Sequence, residues 1–218
     1  MATLRARFAR GPEVSQWTHQ DFVAAVRDAA DRSPLPLTRG SGGMPRIAAG
    51  PPLAQGHVSR CEYMDFEVTE PITAAAFGRG LAPQLPKGVQ LVWQRRIPSC
   101  SPHLRAAVTA YRYAVPGDFE RQRAEAFARA PVWPYRRIRP KKGDQEFDLK
   151  QSVSRLEVQP GRLTLTIEVR PDGTPKPAEV VESVFGMPAD QARQVQMERE
   201  GIRFLPSRRP RPLGMERL

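Results

Sequence analysis

The side chains best equipped for chemistry are three histidines, His19, His57 and His103, and two cysteines, Cys61 and Cys100. The histidines fall in different segments without metal-ligand spacing. Two cysteines cannot supply a four-cysteine zinc site or hold an iron–sulfur cluster within one chain. No metal and no cofactor is therefore expected. There is no Gly-x4-Gly-Lys-Ser/Thr loop, no G-x-G-x-x-G after a strand and no H-E-x-x-H, so no residue is assigned a catalytic role. The cysteine count excludes a disulfide scaffold, and a reducing compartment disfavours a single bridge.

Four residues are candidates for holding a ligand or a phosphate. His19 stands in the first turn of an expected helix, where free backbone N–H groups favour an anion. The plainer reading is an exposed residue beside a capping box made by Thr18 and Asp21. Arg46 follows Pro45 and the glycine cluster 40–43, and a guanidinium there could grip phosphate bidentately or simply face water. Tyr63 and Asp65 share one face of a strand and could hydrogen-bond a ligand, with packing and solvation the alternative. Glu62 and Asp65 point to opposite faces, so they do not make a paired acid and base.

The strongest polyanion signal is 133–142, Trp-Pro-Tyr-Arg-Arg-Ile-Arg-Pro-Lys-Lys. Trp133 and Tyr135 could stack on bases, with Arg136, Arg137, Arg139, Lys141 and Lys142 on the phosphates. A charged edge strand guarded by Pro and Lys is the competing explanation. The Lys/Arg-Gly-Phe/Tyr-Gly-Phe signature of RNA-recognition motifs is missing, so an aromatic platform on a sheet face is not expected.

Composition agrees with a polyanionic partner. Net charge is +11 and the isoelectric point is near 10.6, which favours RNA, DNA or an acidic protein face. Because 29 of the 34 basic residues are arginine, GC-rich coding is a second source of the same bias. At 40% hydrophobic and 26% charged residues the chain suits a globular protein. No run reaches the roughly 18 apolar residues of a membrane span, and the first residues lack an apolar signal region. A cytoplasmic location without membrane contact is expected.

The elements that must position these residues follow from periodicity. Residues 3–9 alternate Leu4, Ala6 and Phe8 against Arg5 and Arg7, a half-buried strand. Thr18 and Asp21 open a helix to about Asp31, with Trp17 and Phe22 at the staple positions. Extended pieces at 35–38 and 46–49, a strand at 61–69, a helix at 73–84 and a strand at 89–96 follow, with Val89, Leu91 and Trp93 inward. The second half has a strand at 107–115, a helix at 118–130, an extended 132–139, a hairpin of 153–158 with 162–170, a helix at 177–185 stopped by Gly186, and a strand or helix at 194–204. This predicts an α+β fold of two tandem ferredoxin-like β-α-β-β-α-β units with antiparallel sheets. The expected domains are 1–100 and 105–205, with a basic, disordered tail at 206–218 carrying Arg208, Arg209 and Arg211.

The chain resembles the radical SAM-linked protein family, domain of unknown function 2344. The resemblance is carried by Thr18-His19-Gln20-Asp21, Leu35-Pro36-Leu37, Pro45-Arg46-Ile47 followed by Pro52-Leu53 and Gly56, Glu62-Tyr63-Met64-Asp65, the basic stretch 136–142, Asp148-Leu149 and Leu156-Glu157-Val158. It spans roughly residues 3–200. The family's Ser-x-Gly-Phe-Asn/His-Pro-type loop is replaced here by the shorter 39–44, Arg-Gly-Ser-Gly-Gly-Met, which makes this a divergent member. The resemblance implies a protein that works beside a radical SAM enzyme, with genes set among those of ribosome and RNA metabolism. The expected function is a noncatalytic RNA- or ribonucleoprotein-binding accessory protein. The alternatives are a protein–protein adaptor for the radical SAM enzyme without RNA contact, and an RNA-processing enzyme using His19.

Overall fold

The computed structural model describes residues 2–98, 101–139 and 143–205. The alternating first segment forms strand β1 (Ala2–Arg10), with Leu4, Ala6 and Phe8 fully buried. Helix α1 (His19–Arg32) starts at N-cap Thr18, whose hydroxyl oxygen accepts from the Asp21 amide at 3.1 Å. The Asp21 carboxylate accepts from the Thr18 amide at 2.8 Å. Each partner satisfies a first-turn donor that a helix cannot satisfy itself. Thr18→Ala is expected to lower the unfolding free energy by about 1 kcal/mol, read as a lower urea midpoint at unchanged slope.

Strand β2 (Ile47–Ala49) lies against β3 (Val58–Val68), and helix α2 (Ala74–Leu81) leads to β4 (Val89–Ile97). The expected strand at 35–38 is reduced to one bridge, Leu37 to Val68, because Pro34 and Pro36 lack the donors that a ladder needs. A bulge in β4 sets Leu91 opposite Phe8 but Trp93 opposite Arg7. Residues directly opposed across strands share a face. Leu91 therefore faces the helices, and Trp93, expected inward, faces the other way with Arg7.

The second half runs β5 (Val108–Pro116), α3 (Arg121–Arg129), β6 (Pro134–Arg137), β7 (Gln145–Asp148), the single turn α4 (Leu149–Ser152), β8 (Val153–Gln159), β9 (Arg162–Glu168), α5 (Pro177–Phe185), α6 (Ala189–Gln194) and β10 (Glu198–Phe204). Helix α5 ends where Gly186 takes a left-handed φ of 68° and its amide caps the Glu182 carbonyl, a conformation that costs glycine least. The segment expected to supply the second sheet's next strand, 132–139, does not join it. Its strand β6 pairs with β7 in a separate two-stranded ribbon.

The main sheet has eight strands in the order β4-β1-β3-β10-β5-β9-β8, with β2 also on β3. It is antiparallel except at β3 and β10, which run parallel through two residue pairs, Val58 with Glu198 and Ser59 with Arg199. That seam replaces the expected pair of separate sheets with one continuous sheet. Two cores lie on it. Phe22, Val26, Phe77 and Leu81 pack on Leu4, Phe8, Met64 and Phe66. Phe127, Val180, Val181 and Val184 pack on Val115, Leu163, Leu165 and Ile167. Ser59 opposes both Arg199 and Arg10, and Arg10 shares the face of Phe8. The helices of both halves thus cover the same side of the sheet. Among the described residues no helix is long and apolar enough to cross a membrane.

Candidate nucleic-acid interface

With the helices on one side, the opposite side of the sheet carries no helical layer among the described residues. The alternation of β1 places Arg5 and Arg7 there. Arg7 is flanked by Tyr63 on β3 and by Trp93 on β4, and Arg5 by Asp65 and Arg95 on the same two strands. From β10, Phe204 meets the Tyr63 ring edge to face, with centroids 5.0 Å apart. The Arg95 guanidinium lies 5.0 Å from the Trp93 centroid, and that of Arg5 lies 5.8 Å from Phe204. A cross-strand row Phe204–Tyr63–Arg7–Trp93 therefore sets one cation between aromatic rings. Trp93 and Tyr63 flank β1 and stand two strand spacings apart, roughly 10 Å.

Arg5, Tyr63, Trp93, Arg95 and Phe204 line a depression of about 320 Å³. A groove of about 590 Å³ adjoins it across Pro98 and Pro102 and is lined by Arg27, Arg46, Asp65, Glu67 and His103. Charge is unevenly placed on this face. In the second half the cations are paired: Arg112 and Arg162 with Glu200, and Arg203 with Glu168. In the first half Arg5 binds Asp65 through two bonds of 2.7 and 2.9 Å. Among the described residues Arg7 and Arg95 have no carboxylate partner.

The four ligand candidates separate. Asp65 and Arg46 meet in the larger groove, although Asp65 is held by Arg5 and Arg46 sits 3.5 Å from Glu67. Tyr63 belongs to the smaller depression. His19 lies on the other side of the sheet with the helices. Both its ring nitrogens are shut off from solvent without a hydrogen-bond partner. Burial pushes its pKa down, with Arg105, Arg199 and Arg10 acting in the same direction and Glu62 against it.

The aromatic rings of the basic ribbon are occupied by protein partners. The Trp133 indole donates to Ser183 at 2.9 Å and packs against Phe127, and the Tyr135 hydroxyl donates to Glu182 at 3.2 Å. Arg137 forms two 2.6 Å bonds to Glu179, and Arg136 pairs with Asp144. Arg139 donates to the Gly143 carbonyl. Lys141 and Lys142 lie outside the described residues, as do Cys100 and the tail at 206–218. Sequence reading did not single out Trp93, Arg95 and Phe204. The available signal was Arg5 and Arg7 sharing one face of a strand whose other face carries Leu4, Ala6 and Phe8.

At the seam, on the helical side, Arg199 and Glu62 form a fully buried ion pair at 2.6 Å. Arg199 also donates to the Pro51 and Pro52 carbonyls at 3.1 Å each. Burial alone would lower Arg199, but Glu62, Tyr113 and Cys61 outweigh it and hold the guanidinium above its ordinary pKa. The Cys61 thiol is pushed up to about 11 by burial, which makes it a poor nucleophile at neutral pH. Arg10, also fully buried, has no carboxylate partner among the described residues and donates instead to the carbonyls of Val14, Ser15 and Trp17.

The described residues contain no cluster of three or more His, Cys, Asp or Glu side chains able to hold a metal ion. No curated protein matches the chain in sequence. One family does match, over residues 3–177, and it is described as an uncharacterized protein conserved in bacteria. That match covers most of the 218 residues, including β1, β3 and β4 with Arg7, Tyr63 and Trp93 though not Phe204, and the chain accordingly belongs to the DUF2344 family.

Proposed function

We propose that the protein is a noncatalytic RNA- or ribonucleoprotein-binding accessory protein, acting beside a radical SAM enzyme, and that it holds single-stranded RNA on its helix-free sheet face. The row Phe204–Tyr63–Arg7–Trp93 carries the reading. Single-stranded nucleic acid is bound sequence-tolerantly by aromatic rings that stack bases beside cations that track phosphates. Sheet faces of RNA-recognition modules stack two or three bases in this way. Strand orders β4-β1-β3-β2 and β10-β5-β9-β8 support reading the chain as two ferredoxin-like units, with domains 1–100 and 105–205. The radical SAM partner and the cytoplasmic location rest on the family resemblance and the composition.

The test is anisotropy of a labelled oligouridine with the intact chain between about 50 and 200 mM salt. Binding should weaken with salt, and Arg7→Ala with Arg95→Ala should reduce the log–log slope by about 0.7 per lost phosphate contact. Binding unchanged in that double variant would remove RNA from this face.

The adaptor reading, without RNA contact, draws on a different observation. The β6–β7 ribbon presents Ile138 at 74% exposure, and Val132 just before it at 56%. Exposed aliphatic groups such as these are where an adaptor contact would be sought. Retention of the radical SAM enzyme by the intact chain but not by Ile138→Asp, with no RNA affinity, would favour it. The enzyme reading through His19 gains nothing from the geometry, since its ring nitrogens are closed to solvent.

A further inference from the structure

On the helical side, away from the proposed RNA face, a separate cavity of about 600 Å³ opens between the loop 52–57 and the start of α5. That volume lies in the range of small-molecule sites. Tyr111 and Tyr113, two apart on β5, supply aromatic surface, with centroids 6.3 Å apart. Lys176 and Arg193 also line the cavity, and no Asp or Glu does. Ala178 joins them, and its amide is one of the first-turn donors that a helix cannot satisfy internally.

His57 supplies an independent polar group at the same cavity. It is 9% exposed and lines this cavity. Its Nδ1 accepts from the Met197 amide at 3.2 Å, so in the neutral ring the proton resides on Nε2. Among the described residues that Nε2–H has no acceptor. Burial, with Arg10 and Arg199 nearby, lowers the His57 pKa and so favours the neutral ring. That nitrogen opens to the cavity, where an acceptor atom of a ligand can take its proton in a hydrogen bond. Thr174 and Gln55 at the same cavity add polar groups for the edge of a heterocycle.

We infer that this cavity binds a nucleoside monophosphate, with the base against Tyr111 and Tyr113 and an acceptor atom on His57 Nε2–H. The phosphate lies between Lys176, Arg193 and the Ala178 amide. A free mononucleotide and the 5′-phosphorylated end of an RNA present the same chemistry. The inference stands apart from the sheet-face reading, because it uses none of the same residues.

Titration calorimetry of the intact chain with AMP, GMP, CMP and UMP tests it, with the matching nucleosides and inorganic phosphate as controls. At least one monophosphate should bind, its nucleoside at least about tenfold more weakly, and should shift the His57 imidazole resonance. Lys176→Ala with Arg193→Ala should weaken binding by at least about tenfold, while Trp93→Ala leaves it unchanged. A 5′-phosphorylated oligonucleotide that competes where its 5′-hydroxyl twin does not would make the RNA end the source. Competition by neither would make it the free nucleotide. Absence of heat with all four, or binding indifferent to Lys176 and Arg193, overturns the inference. Oligouridine binding that persists in that case leaves the sheet face standing.

Discussion

Glu62→Gln is expected to lower the unfolding free energy by about 3–5 kcal/mol. The substitution keeps the shape and removes the charge. It leaves the Arg199 guanidinium, 1% exposed, inside the protein with no counter-ion. Removing one partner of a buried pair costs more than the pair contributes, because the desolvation of the survivor is no longer offset. In a chain of this length the loss amounts to roughly 6–20 °C in melting temperature. Glu62→Leu combined with Arg199→Met should recover most of it, since two apolar side chains need no compensation. Some loss should remain, because the Pro51 and Pro52 carbonyls lose the donors that Arg199 gave them. A urea midpoint for Glu62→Gln equivalent to less than about 1 kcal/mol below wild type would mean that water or another cationic arrangement already screens the pair.

Trp93→Ala should weaken oligouridine binding by about 1–3 kcal/mol, roughly five- to 150-fold. Tyr63→Ala should do the same. Because the two rings stand on strands separated by β1, their effects should add. Trp93→Phe should retain most of the affinity, as a stacking role needs a ring and not a particular donor. The salt slope should be unchanged in all three, which separates them from Arg7 and Arg95. Ribbon variants Arg136→Ala and Arg139→Ala provide the contrast, because both guanidiniums have protein acceptors and should change affinity less. A loss confined to the ribbon variants would return the interface to 133–142.

How much of this was readable depends on the range of the interactions involved. The Thr18–Asp21 capping box and the alternation of β1 span a few residues, and both were legible. So were the polar face of Tyr63 and Asp65 and the stop at Gly186. The inward assignment of Trp93 failed because one extra residue in β4 reverses every side chain beyond it, and no local pattern marks that bulge. The ribbon 133–139 was legible as basic and aromatic but not as paired. Its partners Glu179, Glu182 and Ser183 lie more than 40 residues away on α5. The same distance hid the seam, where Glu62 and Arg199 are 137 residues apart, and with it the continuity of the sheet.

The seam also constrains the order in which the protein can be made. Four strands of the first half, β1 to β4, are complete once Ile97 has been synthesised. Glu62 and the carbonyls of Pro51 and Pro52 must then wait for Arg199, which arrives only with the last strand. On a ribosome adding roughly 5–20 residues per second, the hundred residues between give an interval of about 5–20 s. Throughout it a carboxylate destined for burial remains in water and the free edge of β3 stays unpaired beside it. That charge at the edge disfavours pairing with another nascent chain, so the residue that locks the finished sheet also guards the unfinished one.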